Sequence, residues 1–266
     1  MLELQILGPL VVQVNGNSVS LGPRLRILLL ALLVARRQAV PAPRLAQLVW
    51  SGAPPAGWRR TLRSHVYHLR RVLTSDQAKD CSGLQVITAI RLGEECAYAL
   101  RVSDDQVDAW RAERLLGQAR KVLVAGQPEE ASGILAHALA SWHGDPLADV
   151  ADMPFAIDEA RRLGHMLRSI RVAKIEAAIG LGLHYEIIGE LESMVTRWPD
   201  DLLLRHLLVL ALHRGGRVAD AARVCREGIE AMLNQGLEAS GLQALQRQIL
   251  ASAPALPTPN TVVATD

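Results

Sequence analysis

Phenylalanine occurs once in 266 residues, tyrosine three times and tryptophan five, so aromatic side chains make up only 3% of the chain. That scarcity argues against a surface that reads single-stranded RNA by stacking bases on rings. Cysteine is scarcer still. Cys81, Cys96 and Cys225 are odd in number, without CxxC or paired Cys/His spacing, which offers neither a disulfide framework nor a structural zinc site and suits free thiols in a reducing cytosol. The longest purely apolar run, Ile27 to Ala35, is nine residues, about half of the roughly 20 that span a bilayer. No basic leader opens the chain. A cytoplasmic location is expected. Enzyme signatures are missing as well: there is no G-x-S-x-G, no H-E-x-x-H and no G-x-x-x-x-G-K-[ST] phosphate cradle. Catalytic residues, a bound metal and a cofactor are therefore not expected. His65 and His68 have metal-pair spacing but no third ligand nearby. The acids Asp145, Asp149, Asp152 and Asp158 read as a solvated connection between helices.

What the chain does have is arginine, unevenly placed. Residues 1 to 100 carry twelve Lys/Arg against five Asp/Glu, a net of +7, and residues 101 to 266 carry seventeen against twenty-two, a net of −5. A basic N-terminal part calls for a polyanion, because cationic side chains on phosphates release condensed counterions. The densest stretch is WRRTLRSHVYHLRRVL, residues 58 to 73, with five arginines, two histidines and no carboxylate.

The surrounding pattern gives that stretch a setting. LELQILGPLVVQVNG has short β-rich runs broken at Gly8-Pro9 and ended by the turn pair Asn15-Gly16, which predicts a small antiparallel sheet. LGPRLRILLLALLVARR predicts a buried first helix, with Arg36 and Arg37 near the negative end of its dipole. PAPRLAQLVW predicts a short second helix, and SGAPPAG cannot be regular structure. In the third helix, at 100° per residue, Trp58, Leu62, Val66, Leu69 and Leu73 form one stripe opposite Arg60, Arg63, Ser64, Tyr67 and Arg71. LQVITAI and AYALRV, separated by RLGEEC, predict a hairpin. Sheet, three helices and hairpin together describe a winged helix-turn-helix. Its third helix would enter the major groove of double-stranded DNA, with Arg60, Arg63, Ser64 and Tyr67 toward base edges and Arg59, Arg70 and Arg71 toward phosphates.

Beyond residue 101 the pattern is helical and repeats. GLHYEIIGELESMV from Gly182 aligns with GRVADAARVCREGI from Gly216, 34 residues on, pairing Glu186 with Asp220, Ile188 with Ala222, Leu191 with Cys225 and Val195 with Ile229. GQPEEASGILAHAL from Gly126 fits the same frame with Glu130, Leu135 and Leu139, and the 56-residue step to Gly182 implies an insertion of 22 that includes HGDPLADVADMP. A period of 34 is the tetratricopeptide length. The expected organisation is an α+β winged-helix domain over 1–101, an all-α tetratricopeptide-like domain over 102–252 and a disordered tail over 253–266.

Taken in order, LGPLVV, GPRLRILLLALLVA, RLAQLVW, PPAGWRRTLRSHVYHLRRVL, DVADMPF, ALHRGGRVADA and GLEASGLQALQRQIL closely resemble the antibiotic regulatory proteins of the SARP family. The resemblance covers residues 2 to about 252. It implies a cytoplasmic transcriptional activator of a secondary-metabolite gene cluster, built from an OmpR-like winged helix and a bacterial transcriptional activator domain. It further implies binding to tandem direct repeats as two head-to-tail copies, and recruitment of RNA polymerase through its sigma subunit and other surfaces. By position, Arg59, Thr61, Leu62, Val66, Leu69, Arg70 and Arg71 match the family's third helix. The loop Ser51, Gly52, Ala53, Pro54, Pro55, Ala56 and Gly57 matches the segment that can touch polymerase. The chain departs from the family pattern at Trp58, Arg60, Arg63 and His65, which stand where a small residue, Asn, Gln and Tyr are common. Without a phosphate cradle it is expected to be the small form that lacks an ATPase module, and no receiver domain precedes the winged helix. Two other readings share some of these features: a DNA-binding repressor or architectural protein, and a tetratricopeptide adaptor whose basic domain binds an acidic protein.

Overall fold

The computed structural model describes residues 1–74, 86–92, 95–236, 238–251 and 256. Cys81 and, apart from Leu256, the 253–266 tail lie outside the described residues. Strands β1 (Leu2–Gln5), β2 (Val11–Val14) and β3 (Asn17–Ser18) form an antiparallel sheet in that order. Asn15 at φ 53 and Gly16 at φ 81 are both left-handed, as a two-residue hairpin turn of the primed type requires. Then follow α1 (Pro23–Val34), β4 (Val40–Pro41), α2 (Ala42–Val49), α3 (Trp58–Leu73), β5 (Ile87–Leu92) and β6 (Glu95–Leu100). β6 lies between β4 and β5, antiparallel to both. The hairpin is longer than its β-rich segments suggested, since pairing continues through Arg91 with Cys96 and Leu92 with Glu95. This is the expected winged helix.

Helix α1 buries Leu28 through Leu33 without a break, which explains why it shows no polar stripe. It also ends earlier than expected. Arg36 and Arg37 lie beyond its last turn in left-handed conformation, at φ 49 and 69. Arg36 pairs with Glu113, while Arg37 pairs with Asp104 at 2.8 Å, donates its Nε to the Val102 carbonyl at 3.2 Å and covers the Trp110 ring at 5.3 Å.

Helices α4 (Asp108–Val124), α5 (Pro128–Leu139), α6 (Pro154–Gly180), α7 (His184–Arg197), α8 (Leu202–Arg214), α9 (Val218–Asn234) and α10 (Ser240–Leu250) complete the chain. By contacts it divides into two units that interleave in sequence: Met1–Leu115 with His137–Arg168, and Leu116–Ala136 with Ser169–Asp266.

The first unit holds the winged helix together with residues from the insertion. Asp108, 1% exposed, accepts the backbone N–H of Ile6 and Leu7, at 2.9 and 3.0 Å, and of Ala109 at 2.7 Å. The carbonyls of the same two residues accept N–H groups from the insertion, Leu7 from His143 and Ile6 from Leu147, both at 3.0 Å. The His143 ring lies so close to Gly8 that a Cβ there would sit 2.4 Å from it. Asp149 pairs with Arg26 and accepts the Leu10 N–H. Asp149 is thus a docking group, and the insertion is more than a solvated connection.

The second unit is the helical array. Gly126, Gly182 and Gly216 adopt φ 75, 77 and 77, each two residues before the start of α5, α7 or α9. The shared left-handed turn requires glycine at that point of the repeat. Equivalent positions are buried alike, as with Leu191 and Cys225. Asp201 caps α8 by accepting the N–H groups of Leu203 and Leu204. Helix α6 is 27 residues long against 13 for α8. The extra repeat length therefore lies in the longer connection before α6, residues 140–153 against 198–201, and in the additional length of α6 itself. Leu256 is buried in the core formed by α7 to α10, its carbonyl 3.5 Å from Arg214 Nη2.

Asp108→Ala is expected to lower stability by about 3 kcal/mol or more, since three buried donors lose their acceptor at roughly 1–3 kcal/mol each. Asp108→Asn, which keeps one carbonyl acceptor, should cost less. Urea unfolding of both variants checks the order.

Candidate nucleic-acid interface

Helix α3 begins where the chain can turn into it. Gly57 is left-handed at φ 78, and the Trp58 N–H bonds the Pro55 carbonyl at 3.0 Å. From there its residues run without glycine or proline to Leu73, and Leu62, Val66, Leu69 and Leu73 are buried against the domain. Trp58, at the end of that stripe, is half-buried.

The opposite side is solvent-facing. Arg59, Arg60, Arg63, Ser64, Tyr67, His68 and Arg71 are all exposed. Tyr67 is 58% exposed, with its ring edge-on to His68 at 6.0 Å. At 100° per residue, Ser64 and Arg71 lie diametrically opposite the buried stripe, with Arg60 and Tyr67 beside them. Arg63 stands about a quarter-turn away. It lines a cleft of about 400 Å³ with Arg59, Ile90, Arg91, Cys96 and Tyr98, between α3 and the β5–β6 hairpin. Arg91 is the cation that helix reasoning could not find, because its place follows from hairpin register and not from periodicity. Burial raises the Tyr98 hydroxyl above its ordinary pKa, as does its contact with Cys96, against the opposing pull of Arg63 and Arg70.

Arg70 is placed differently from its neighbours. It is half-buried and donates its Nε to the Ile87 carbonyl at 2.8 Å, which ties α3 to the hairpin. Among the described residues, no carboxylate forms an ion pair with Arg59, Arg60, Arg63 or Arg71. The Arg59 guanidinium rests over Trp58, 4.7 Å from the ring centre.

The loop before α3 is ordered by its own hydrogen bonds. Gly52 N–H reaches the Gln47 carbonyl at 2.7 Å, and Ala53 N–H the Trp50 carbonyl at 3.0 Å. Ser51, Gly52, Ala53, Pro55, Ala56 and Gly57 are exposed and Pro54 is half-buried. Trp50, at the end of α2, stacks on His65 of α3 with ring centres 5.8 Å apart and planes 25° apart. Arg24 of α1 lies 5.8 Å from the Trp50 ring. Burial pulls the His65 imidazole below its ordinary pKa, and the positive charge of Arg24 and His68 acts the same way. His65 is thus a packing ring, half-buried against Trp50. No group of three metal-ligating side chains occurs among the described residues, and no described helix is long and apolar enough to cross a membrane.

The family profile described as "Bacterial transcriptional activator domain" matches residues 107–250, and that described as "Transcriptional regulatory protein, C terminal" matches residues 16–91. Over 263 residues the chain is 31% identical to the regulatory protein DnrI of Streptomyces peucetius, covering 96% of this chain and 94% of that one. It is 30% identical over 259 residues to the regulatory protein AfsR of Streptomyces coelicolor, covering 96% of this chain but only a quarter (25%) of that relative's length. Among solved structures it resembles Mycobacterium tuberculosis EmbR in complex with a low-affinity phosphopeptide. There the TM-score is 0.84 at 28% identity, over 98% of this chain and 68% of that one.

The contrast between two adjacent arginines is measurable. Arg70→Ala should lower stability by about 1–2 kcal/mol through loss of a charged donor to a partly buried carbonyl, while Arg71→Ala should leave it within about 0.5 kcal/mol. Chemical unfolding of the two variants distinguishes these roles.

Proposed function

The chain belongs to the bacterial transcriptional activator domain family, in the antibiotic-regulatory arrangement that places an OmpR-like winged helix before that domain, and from this premise we propose that it is a sequence-specific activator of a secondary-metabolite gene cluster. The observation that carries the proposal is α3 itself. Its apolar stripe is anchored in the domain, and its exposed face offers cations and polar donors with no carboxylate among them. A helix so held can enter the major groove, while phosphates of the flanking strands meet the remaining arginines.

In this reading Arg60, Ser64 and Tyr67 face base edges, and Arg63 does so from the hairpin side. Arg59, Arg71 and the hairpin's Arg91 neutralise phosphates. Arg70 acts mainly by holding α3 on β5, so its contribution to DNA binding is positional. Two copies occupy tandem direct repeats side by side. The exposed loop Ser51 to Gly57 and the helical domain meet RNA polymerase, including its sigma subunit. What favours DNA over an acidic protein as the partner is the setting of α3, the third helix of a winged helix with its apolar stripe buried and its arginine side exposed, the geometry that places a helix in the major groove.

A footprint on the promoters flanking the gene should protect two adjacent repeats. Purified polymerase should then transcribe more from that template when the protein is added; protection without added transcription would mark a repressor. Substituting Arg60 and Arg63 with alanine should abolish discrimination among operators, each lost bidentate contact being worth roughly 1–3 kcal/mol. Arg71→Ala should weaken all sequences alike and flatten the salt dependence by about one ion. Selectivity that survived the double substitution would place base recognition elsewhere.

A further inference from the structure

We propose that Trp50, on which His65 of α3 stacks and which Arg24 of α1 approaches, is the positioning residue that holds the α2–α3 loop in the orientation from which it meets polymerase, and that His65 serves this loop and not the DNA. The inference rests on the reading of Ser51 to Gly57 as the polymerase-contact loop.

Trp50 is where α2 stops and the loop's direction is decided. Its N–H still bonds the Ala46 carbonyl at 3.1 Å, but the next two residues, Ser51 at φ 50 and Gly52 at φ 88, turn left-handed. Beyond that turn the loop is held by hydrogen bonds to its own backbone and by two prolines. Gly52 bonds back to Gln47, Ala53 to Trp50 and Trp58 to Pro55, and Pro54 and Pro55 each have a ring-restricted φ. The loop therefore behaves as a stiff hook whose aim follows the indole. Three helices meet on that ring: α2 carries it, His65 stacks on one side of it, and Arg24 approaches it from α1.

His65 is poorly placed to read DNA. It lies about a third of a turn from the centre of the exposed face of α3. It is half-buried, and its Nε2 is buried without a hydrogen-bond partner among the described residues. What it supplies is a flat ring stacked on the indole. An offset or near-parallel pair of rings fixes both distance and tilt, so the stack transmits the position of α3 to the loop.

The test uses the full chain, a DNA fragment carrying the promoters flanking its gene, and purified RNA polymerase holoenzyme. His65→Ala should bind the fragment within about twofold of the parent yet support about tenfold less activated transcription. His65→Phe, which keeps a stacking ring without imidazole nitrogens, should restore most of it. Pro54→Gly combined with Pro55→Gly should lose activation to a similar degree while still binding DNA. The inference fails if His65→Ala loses affinity and transcription in equal proportion, if the phenylalanine variant does not recover, or if His65→Ala activates fully while the loop variant does not. Full activation by the loop variant would overturn the polymerase-contact reading itself, and this inference with it.

Discussion

The most deeply buried polar tie between the N-terminal sheet and the rest of its unit is the carboxylate of Asp108. Its two oxygens accept three backbone N–H groups in a site that is 1% exposed. Burial raises its pKa while the three N–H donors oppose that rise, and a carboxyl group that would be costly in the interior becomes acceptable because its lone pairs are occupied. The chain at Ile6 and Leu7 has left β1 and would otherwise carry unpaired backbone groups. Its N–H groups go to Asp108 and its carbonyls to Leu147 and His143, which satisfies both sides. The winged helix is therefore completed by residues 108 and 143–150, which family similarity assigns to the activator domain. Boundaries drawn from similarity and from contacts differ here for that reason.

The arginines divide along the same line. Arg26, Arg36, Arg37, Arg111, Arg114 and Arg162 pair with acids of their own unit. These are largely exposed pairs, and individually each contributes little to stability. Their effect is on the distribution of charge. With those cations matched internally, the arginines of the first unit without an ion pair among the described residues are concentrated on α3 and the hairpin, where a polyanion would be met. A net-charge count by sequence halves detects the imbalance but cannot say which arginines cause it.

Much of this architecture was visible in the order of residues. The stripe Leu62, Val66, Leu69 and Leu73 needed only helical periodicity, and the repeat in the second unit needed only the interval between Gly182 and Gly216, because a left-handed turn admits few other residues. Other features depended on distant partners. Arg70 and Arg71 are adjacent and alike in sequence, yet the Ile87 carbonyl engages one and leaves the other exposed. His65 has no metal partner set in the sequence, and only the fold shows which ring it packs on, that of Trp50. Asp149 looked like one of several solvated acids until Arg26 and the Leu10 N–H met it.

Sequence alone determined which faces are apolar, where the chain must turn, how the helices repeat and on which segment the positive charge accumulates. These are local properties, set by side-chain chemistry at spacings of two, three or four residues and by backbone conformations that only certain residues adopt. Tertiary structure decided which polar groups are consumed inside the molecule and which remain for a partner. That choice depends on atoms brought together from positions as far apart as 6 and 108, or 24, 50 and 65, and no interval along the chain encodes such meetings before the chain has folded.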